Sequence, residues 1–236
     1  MHFVEVVTVA VAPATCATWL SSIDDAYTRV ADARHGVFVA ESSSFRLPAI
    51  EGLTIDAVWT ALSTVVRQGC ADLLGPAIEI DADQCWVRRQ FAPAMAPDRH
   101  RPHSWHQDGA LGYDFSGHAG LAPPADALLR MVTFWIALTP CGVDAPGLEL
   151  VTEPIDELLL PSDLREAAVD ESRPAARRVR PVMGPGDVAI FTGDVLHRTH
   201  RTTSMTRTRT SIELRCFPAD GHPDRLRADH FVTIIA

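Results

Sequence analysis

Arg209-Thr210-Ser211-Ile212-Glu213-Leu214-Arg215-Cys216-Phe217 is the stretch that decides the fold class. Ile212, Leu214 and Cys216 alternate with Arg209, Ser211, Glu213 and Arg215, which reads as a β-strand with one apolar and one polar face. An arginine on the buried side of such a strand would meet a carboxylate, because a buried charge is costly without a partner. Outward from this run, other short apolar or alternating segments occupy 84–91, 103–108, 129–138, 147–151, 176–182, 187–191 and 230–235, separated by Pro- and Gly-rich turns. Many short strands punctuated in this way indicate a sandwich or barrel. Two helices precede them. Cys16, Leu20, Ile23, Tyr27 and Val30 recur at steps of four and three after Pro13, and Val58, Leu62, Val65 and Leu73 mark a second apolar stripe.

Two halves of a metal site lie inside this pattern. In His106-Gln107-Asp108, a strand would send His106 and Asp108 to one face and Gln107 to the other. A third ligand is expected from Gly186-Asp187-Val188-Ala189-Ile190-Phe191, a turn and apolar strand leading into Leu196-His197-Arg198-Thr199-His200. His197 is favoured, with His200 as its rival on a loop beyond the strand. Two neutral imidazoles and one carboxylate, with the opposite positions open, suit Fe(II) that must also bind an organic ligand and dioxygen. His100 and His103 offer a competing histidine cluster with His106 for zinc, against the commoner reading of a solvated loop.

Across roughly residues 84 to 217 the sequence resembles the phytanoyl-CoA dioxygenase family of Fe(II)- and 2-oxoglutarate-dependent oxygenases. The resemblance implies a double-stranded β-helix, or jelly roll, with N-terminal helices packed on one sheet. It implies iron ligation by His106, Asp108 and His197, and contact of Thr199 with the cosubstrate. It also implies a two-pronged salt bridge from Arg209 to the far carboxylate of 2-oxoglutarate. Arg207 stays open as the alternative, since the usual spacing from the distal histidine falls between the two. Trp135, in Met131-Val132-Thr133-Phe134-Trp135-Ile136-Ala137-Leu138, matches a tryptophan lining the cosubstrate pocket, although a core aromatic explains it too, as it does Trp105. Ala145-Pro146-Gly147-Leu148-Glu149-Leu150-Val151 resembles the family's Gly-x-Leu turn and strand. Arg88 and Gln90 share a face of the strand Cys85–Phe91 and are candidate cosubstrate contacts; exposed sheet residues are the alternative. Asp108 stands where related halogenases have Gly or Ala, which favours hydroxylation.

At 236 residues the chain suits one domain, with a helical part to about residue 80 and a jelly-roll core from about 84 to 236. A formal charge of −9 argues against a nucleic-acid partner. All 21 basic residues are arginine, which excludes a Schiff-base lysine or a phosphate-loop lysine. The five scattered cysteines form neither a disulfide framework nor a structural zinc site. No signal peptide or membrane-length apolar run is evident, so a cytoplasmic protein with no membrane partner is expected.

The function expected is hydroxylation of an aliphatic carbon of a small metabolite, amino-acid-like or a natural-product intermediate, with release of succinate and CO2. The alternative is a cupin-like metal protein, an isomerase or ligand-binding module, without oxygenase chemistry. Segments 92–103 and 109–128 are expected to border the metal, with Tyr113 and Asp114 as substrate contacts or simply a loop tip, and Arg99, Arg101, Arg198 and Arg201 as local positive charge.

Overall fold

The computed structural model describes residues 2–30, 38–98, 100–113, 115, 123–124 and 126–221, together with the backbone of 231–235. Its strands in chain order are β1 (Val4–Val7), β2 (Phe38–Val39), β3 (Ser44–Arg46), β4 (Ala77–Asp81), β5 (Trp86–Gln90), β6 (His106–Gln107), β7 (Val132–Ala137), β8 (Gly147–Val151), β9 (Arg178–Val179), β10 (Val188–Thr192), β11 (Leu196–His200), β12 (Arg209–Pro218) and β13 (Phe231–Ile235). The helices are α1 (Pro13–Arg29), α2 (Ile55–Ala61), α3 (Thr64–Leu74) and α4 (Glu166–Ser172). A major sheet runs β1-β10-β7-β12-β5-β3-β2, with β4 pairing both β12 and β13; a minor sheet runs β6-β11-β8-β9. Every ladder is antiparallel. This is the jelly roll that the resemblance implied.

The faces of the major sheet follow from strand alternation. Val132, Phe134 and Ile136 of β7, Val188 and Ile190 of β10, and Ile212, Leu214 and Cys216 of β12 form one core with α1, α2 and α3. Trp135, Ala137, Ala189 and Phe191 turn the other way and pack with Leu148 and Leu150 of the minor sheet. The polar face of β12 is therefore the inside of the roll, and Arg209, Ser211, Glu213 and Arg215 are all buried.

α1 matches its predicted stripe, with Pro13 in its first turn and Cys16 and Ile23 buried. The second predicted stripe is two helices. Thr54 caps α2 by accepting from the Ala57 amide at 3.1 Å, and Leu62 then turns extended, at φ −64 and ψ 141, before α3 begins. The break rotates Val65 to the surface, where it is 76% exposed. The N-terminal segment also contributes more than helices: β1 to β4 extend the major sheet, a role that their short, weakly patterned sequences do not announce. Gly186 and Asp187 turn the chain into β10. Gly186 has φ +91, and a Cβ there would fall 2.1 Å from the Val11 carbonyl oxygen, so only glycine fits. Asp187 accepts from the amides of Val9 at 2.8 Å and Gly184 at 2.7 Å, tying this turn to the end of β1.

Candidate metal centre

β6 and β11 pair with His197 directly opposite His106, which brings the two imidazoles to 4.1 Å between ring centroids. Asp108 leaves the strand: β6 ends at Gln107, and a 3-10 turn from Asp108 to Gly112 carries the carboxylate inward. The turn lies against backbone. A Cβ on Gly109 would sit 2.8 Å from the Gly193 carbonyl oxygen and 3.0 Å from that of Leu129, while the Gly109 amide donates to Gly193 at 2.8 Å. Gln107 points away, as expected, and anchors the turn. Its Nε2 donates to the carbonyls of Glu157 and Asp194, each at 3.1 Å, and its Oε1 accepts from the Leu159 amide at 2.8 Å.

Nδ1 of His106 lies 2.7 Å from the Ser104 carbonyl and Nδ1 of His197 lies 2.9 Å from that of Val195. A carbonyl only accepts, so each Nδ1 carries the proton and each Nε2 keeps a free lone pair. Those Nε2 atoms are 3.8 and 4.0 Å from the two oxygens of Asp108. The three ligand atoms lie within 4.8 Å of one another, and among the described residues this is the single group of three that could hold a metal ion. Burial, reinforced by His197, brings His106 down to about 4, so it is a neutral donor at physiological pH. Burial alone would raise the Asp108 carboxyl, but the adjacent Arg215 guanidinium overrides it and holds the group well below the usual carboxylate range. A neutral, neutral, anionic donor set fits a divalent iron ion.

The same cavity is lined by Thr199, Trp135, Arg88 and Arg209. Arg209 is 1% exposed and stacks over Trp135, with its guanidinium carbon 4.6 Å from the ring centroid. Its Nε and Nη1 have no hydrogen-bond partner among the described residues. Burial lowers it to about 10, which leaves it a cation at neutral pH. Gln90 lies across the ladder from Arg209, outside the cavity lining, with its Oε1 also unpartnered. Arg88 is engaged by protein, donating to Glu213 at 2.7 Å, to Ser44 at 3.1 Å and to His103 Nε2 at 2.8 Å.

Several rivals separate here. Arg207 is exposed on the loop before β12 and does not share a strand face with Arg209; Asp144 holds its backbone amide. His200 belongs to β11 rather than to a following loop, yet it stays out of both the ligand group and the cavity. His100 and His103 are not on a solvated loop. His100 is buried edge-on to Phe91, and His103, lining the cavity, is pulled down to about 2 by burial and then by Arg88. Trp105 is a buried aromatic against Arg178 and Arg198. Arg198 gives no free charge, because Glu149 at 2.7 Å and Glu166 hold its guanidinium. Arg101 is exposed and donates to the carbonyls of Asp98 and His100, while Arg201 is half-buried. Tyr113 packs on Phe115 outside the cavity lining. Asp114 and Arg99 lie outside the described residues. All five cysteines are buried and unbridged.

Thr133, Glu213 and Arg215 complete the inner wall, and the sequence reading gave none of them a role. The signal for Thr133 was its place as the one hydroxyl within the apolar strand β7; for the others it was the unbroken polar alternation of β12.

The profile of the phytanoyl-CoA dioxygenase (PhyH) family matches residues 5–210 of this chain. The chain belongs to that family. As a PhyH protein it is an enzyme of the oxygenase type that depends on Fe(II), 2-oxoglutarate and O2. Its fold is similar to that of EctD from S. alaskensis, solved with 2-oxoglutarate and 5-hydroxyectoine, at TM-score 0.65 and 14% identity over 94% of this chain and 74% of that one. It is similar also to the epimerase SnoN of nogalamycin biosynthesis, solved with Fe3+, alpha ketoglutarate and nogalamycin RO, at TM-score 0.63 and 15% identity over 93% and 81%. The carbocyclase SnoK gives TM-score 0.62 and 14% identity over 93% and 81%. No curated protein sequence matches. No helix among the described residues of this PhyH protein is long and apolar enough to cross a membrane.

Proposed function

We propose that this enzyme hydroxylates an aliphatic carbon of a small metabolite, amino-acid-like or a natural-product intermediate, with His106, Asp108 and His197 holding Fe(II). Arg209, Trp135 and Thr199 bind 2-oxoglutarate, with Gln90 beside Arg209 on the neighbouring strand. The observation that carries the reading is Arg209, a fully buried cation with two unpartnered donors in the cavity that also contains the three candidate ligands. A buried guanidinium without a counterion is unfavourable, and a dicarboxylate cosubstrate supplies one. Bound iron and 2-oxoglutarate would supply dioxygen activation through decarboxylation of the keto acid.

The chain's own residues do the rest. Nδ1–H donation to Ser104 and Val195 fixes both imidazole rings, and Arg209 orients the cosubstrate through its guanidinium. Trp135 covers the guanidinium, Phe191 lies against His197, and with Leu148 they give the cavity its apolar lining. Asp108 fills the ligand position that a halogenase leaves open to chloride. The epimerase and the carbocyclase named above stand on the same fold, so a product bearing new oxygen is the finding that separates hydroxylation from hydrogen-atom chemistry of those kinds.

The test is anaerobic titration of the apoprotein with Fe(II) and 2-oxoglutarate, followed by visible absorption. A charge-transfer band that requires both additions, and is lost in His106→Ala and in Arg209→Ala, supports the reading. Iron binding without the band points to a cupin-like metal protein instead. Mass spectrometry of products formed under 18O2 then decides hydroxylation.

A further inference from the structure

Arg215 donates from Nη2 to Asp108 Oδ1 at 2.6 Å, and Thr133 donates from Oγ1 to Asp108 Oδ2 at 2.7 Å. All three residues are buried: Arg215 is 5% exposed, Asp108 2% and Thr133 1%. The two donors come from adjacent strands, where Arg215 of β12 pairs directly with Thr133 of β7. Asp108 itself sits on the turn after β6, outside the major sheet. One carboxylate is thus gripped at both oxygens by a cross-strand pair on the floor of the roll, far from it in sequence.

The charges around this grip are unequal. Arg88 takes Glu213 at 2.7 Å, and the nearest approach of Arg215 to the same carboxylate is 3.9 Å. Asp108 is therefore the principal counterion of Arg215, and charges alternate in sign along Arg88, Glu213, Arg215 and Asp108. Two consequences follow. The carboxylate is fixed in rotation before any cation arrives, so less ordering has to occur on binding. Its charge is also shared with a guanidinium, which makes it a weaker electron donor than an unpaired aspartate.

Resting on the proposed iron site, we infer that Arg215, assisted by Thr133, is a positioning residue that presets Asp108 for the metal and weakens its donation to it. In this role the pair acts through Asp108.

Binding of Co(II) to the apoprotein, and the position of the iron–keto acid band under anaerobic conditions, test this in Arg215→Met, Arg215→Lys and Thr133→Val. Arg215→Met should weaken Co(II) binding about 10- to 100-fold, the usual effect of removing a partner of a metal ligand. It should also move the band to longer wavelength, because an unpaired Asp108 donates more strongly and raises the energy of the iron electrons. Arg215→Lys, which keeps the charge without the fork, should recover part of both changes, and Thr133→Val should weaken binding several-fold. Wild-type affinity and an unmoved band in folded Arg215→Met and Thr133→Val overturn the inference. If Arg215→Met does not fold, the lysine and valine variants decide by the same two readings. A wild-type protein that binds Co(II) but gives no band overturns the oxygenase reading instead, and leaves the affinity ratios to judge Arg215.

Discussion

The guanidinium of Arg209 lies 4.6 Å over the indole of Trp135, buried in a wall where nothing described supplies it a counterion. The pair joins the two strands β12 and β7 in the lining of the cavity that holds the candidate ligands. Arg209→Ala should therefore weaken 2-oxoglutarate binding by two to three orders of magnitude, about 3–4 kcal/mol, the scale of a lost bidentate charged contact. Arg207→Ala, on the exposed loop, should leave it unchanged. Calorimetry with the Co(II)-loaded protein measures both, and the reverse pattern would reassign the arginine.

His106→Ala and His197→Ala should each abolish stoichiometric Fe(II) binding, whereas His200→Ala should retain it, because His200 stands outside the ligand group. Metal analysis after anaerobic gel filtration reads this directly. Loss of iron in His200→Ala alone would show the wrong histidine has been chosen.

Gly109→Ala places a methyl against two backbone carbonyls that have little freedom to withdraw. The turn carrying Asp108 must shift, so stability should fall by about 1–3 kcal/mol, as for overpacking elsewhere. Metal affinity should fall with it. Chemical denaturation and Co(II) titration on the same sample check the pair of effects, and an unaltered affinity would show that the turn does not set the carboxylate.

Acid should destabilise the metal-free protein. His106 and His100 are lowered to about 4 and His103 to about 2, chiefly by burial, and Asp108 is held low by Arg215 against burial. The unfolded chain takes up protons on its histidines near pH 6.5, and the folded chain does not until about pH 4. Stability should thus decline as pH falls from about 6.5 to about 4. The low folded value of Asp108 acts in the same direction, and its contribution is lost as pH falls further. Thermal midpoints across this range measure the slope, and His103→Gln should flatten it.

Glu149, fully buried on β8, accepts from Arg180 at 2.8 Å and from Arg198 at 2.7 Å. Removing it takes from Arg180 its carboxylate and from Arg198 one of two, the other being Glu166, so Glu149→Ala should cost about 1–2 kcal/mol in urea denaturation. Co(II) affinity should stay near wild type, since the carboxylate faces away from the cavity. Equal stability of the variant would count this cluster as solvated surface.

His106-x-Asp108 and the Gly186-Asp187 lead-in to His197 were readable as residue patterns, whereas Arg209 was named through the resemblance to the family. The helix after Pro13 and the strands around Trp135 and Ile212 were readable as patterns too, where hydrophobic period states the buried side. Local pattern could not say that the polar face of β12 points into the roll, since alternation distinguishes two faces without naming which meets solvent. Arg209 over Arg207 and His197 over His200 were preferences in the sequence, and what separates each pair in the fold is where β12 and β11 begin and which strand lies opposite. The pairing of Arg215 and Thr133 on Asp108 joins three segments spread over more than a hundred residues, 107 between Arg215 and Asp108 alone. Only closure of the two sheets brings them together, because a buried carboxylate takes its partners from whatever the fold sets beside it, at any distance along the chain.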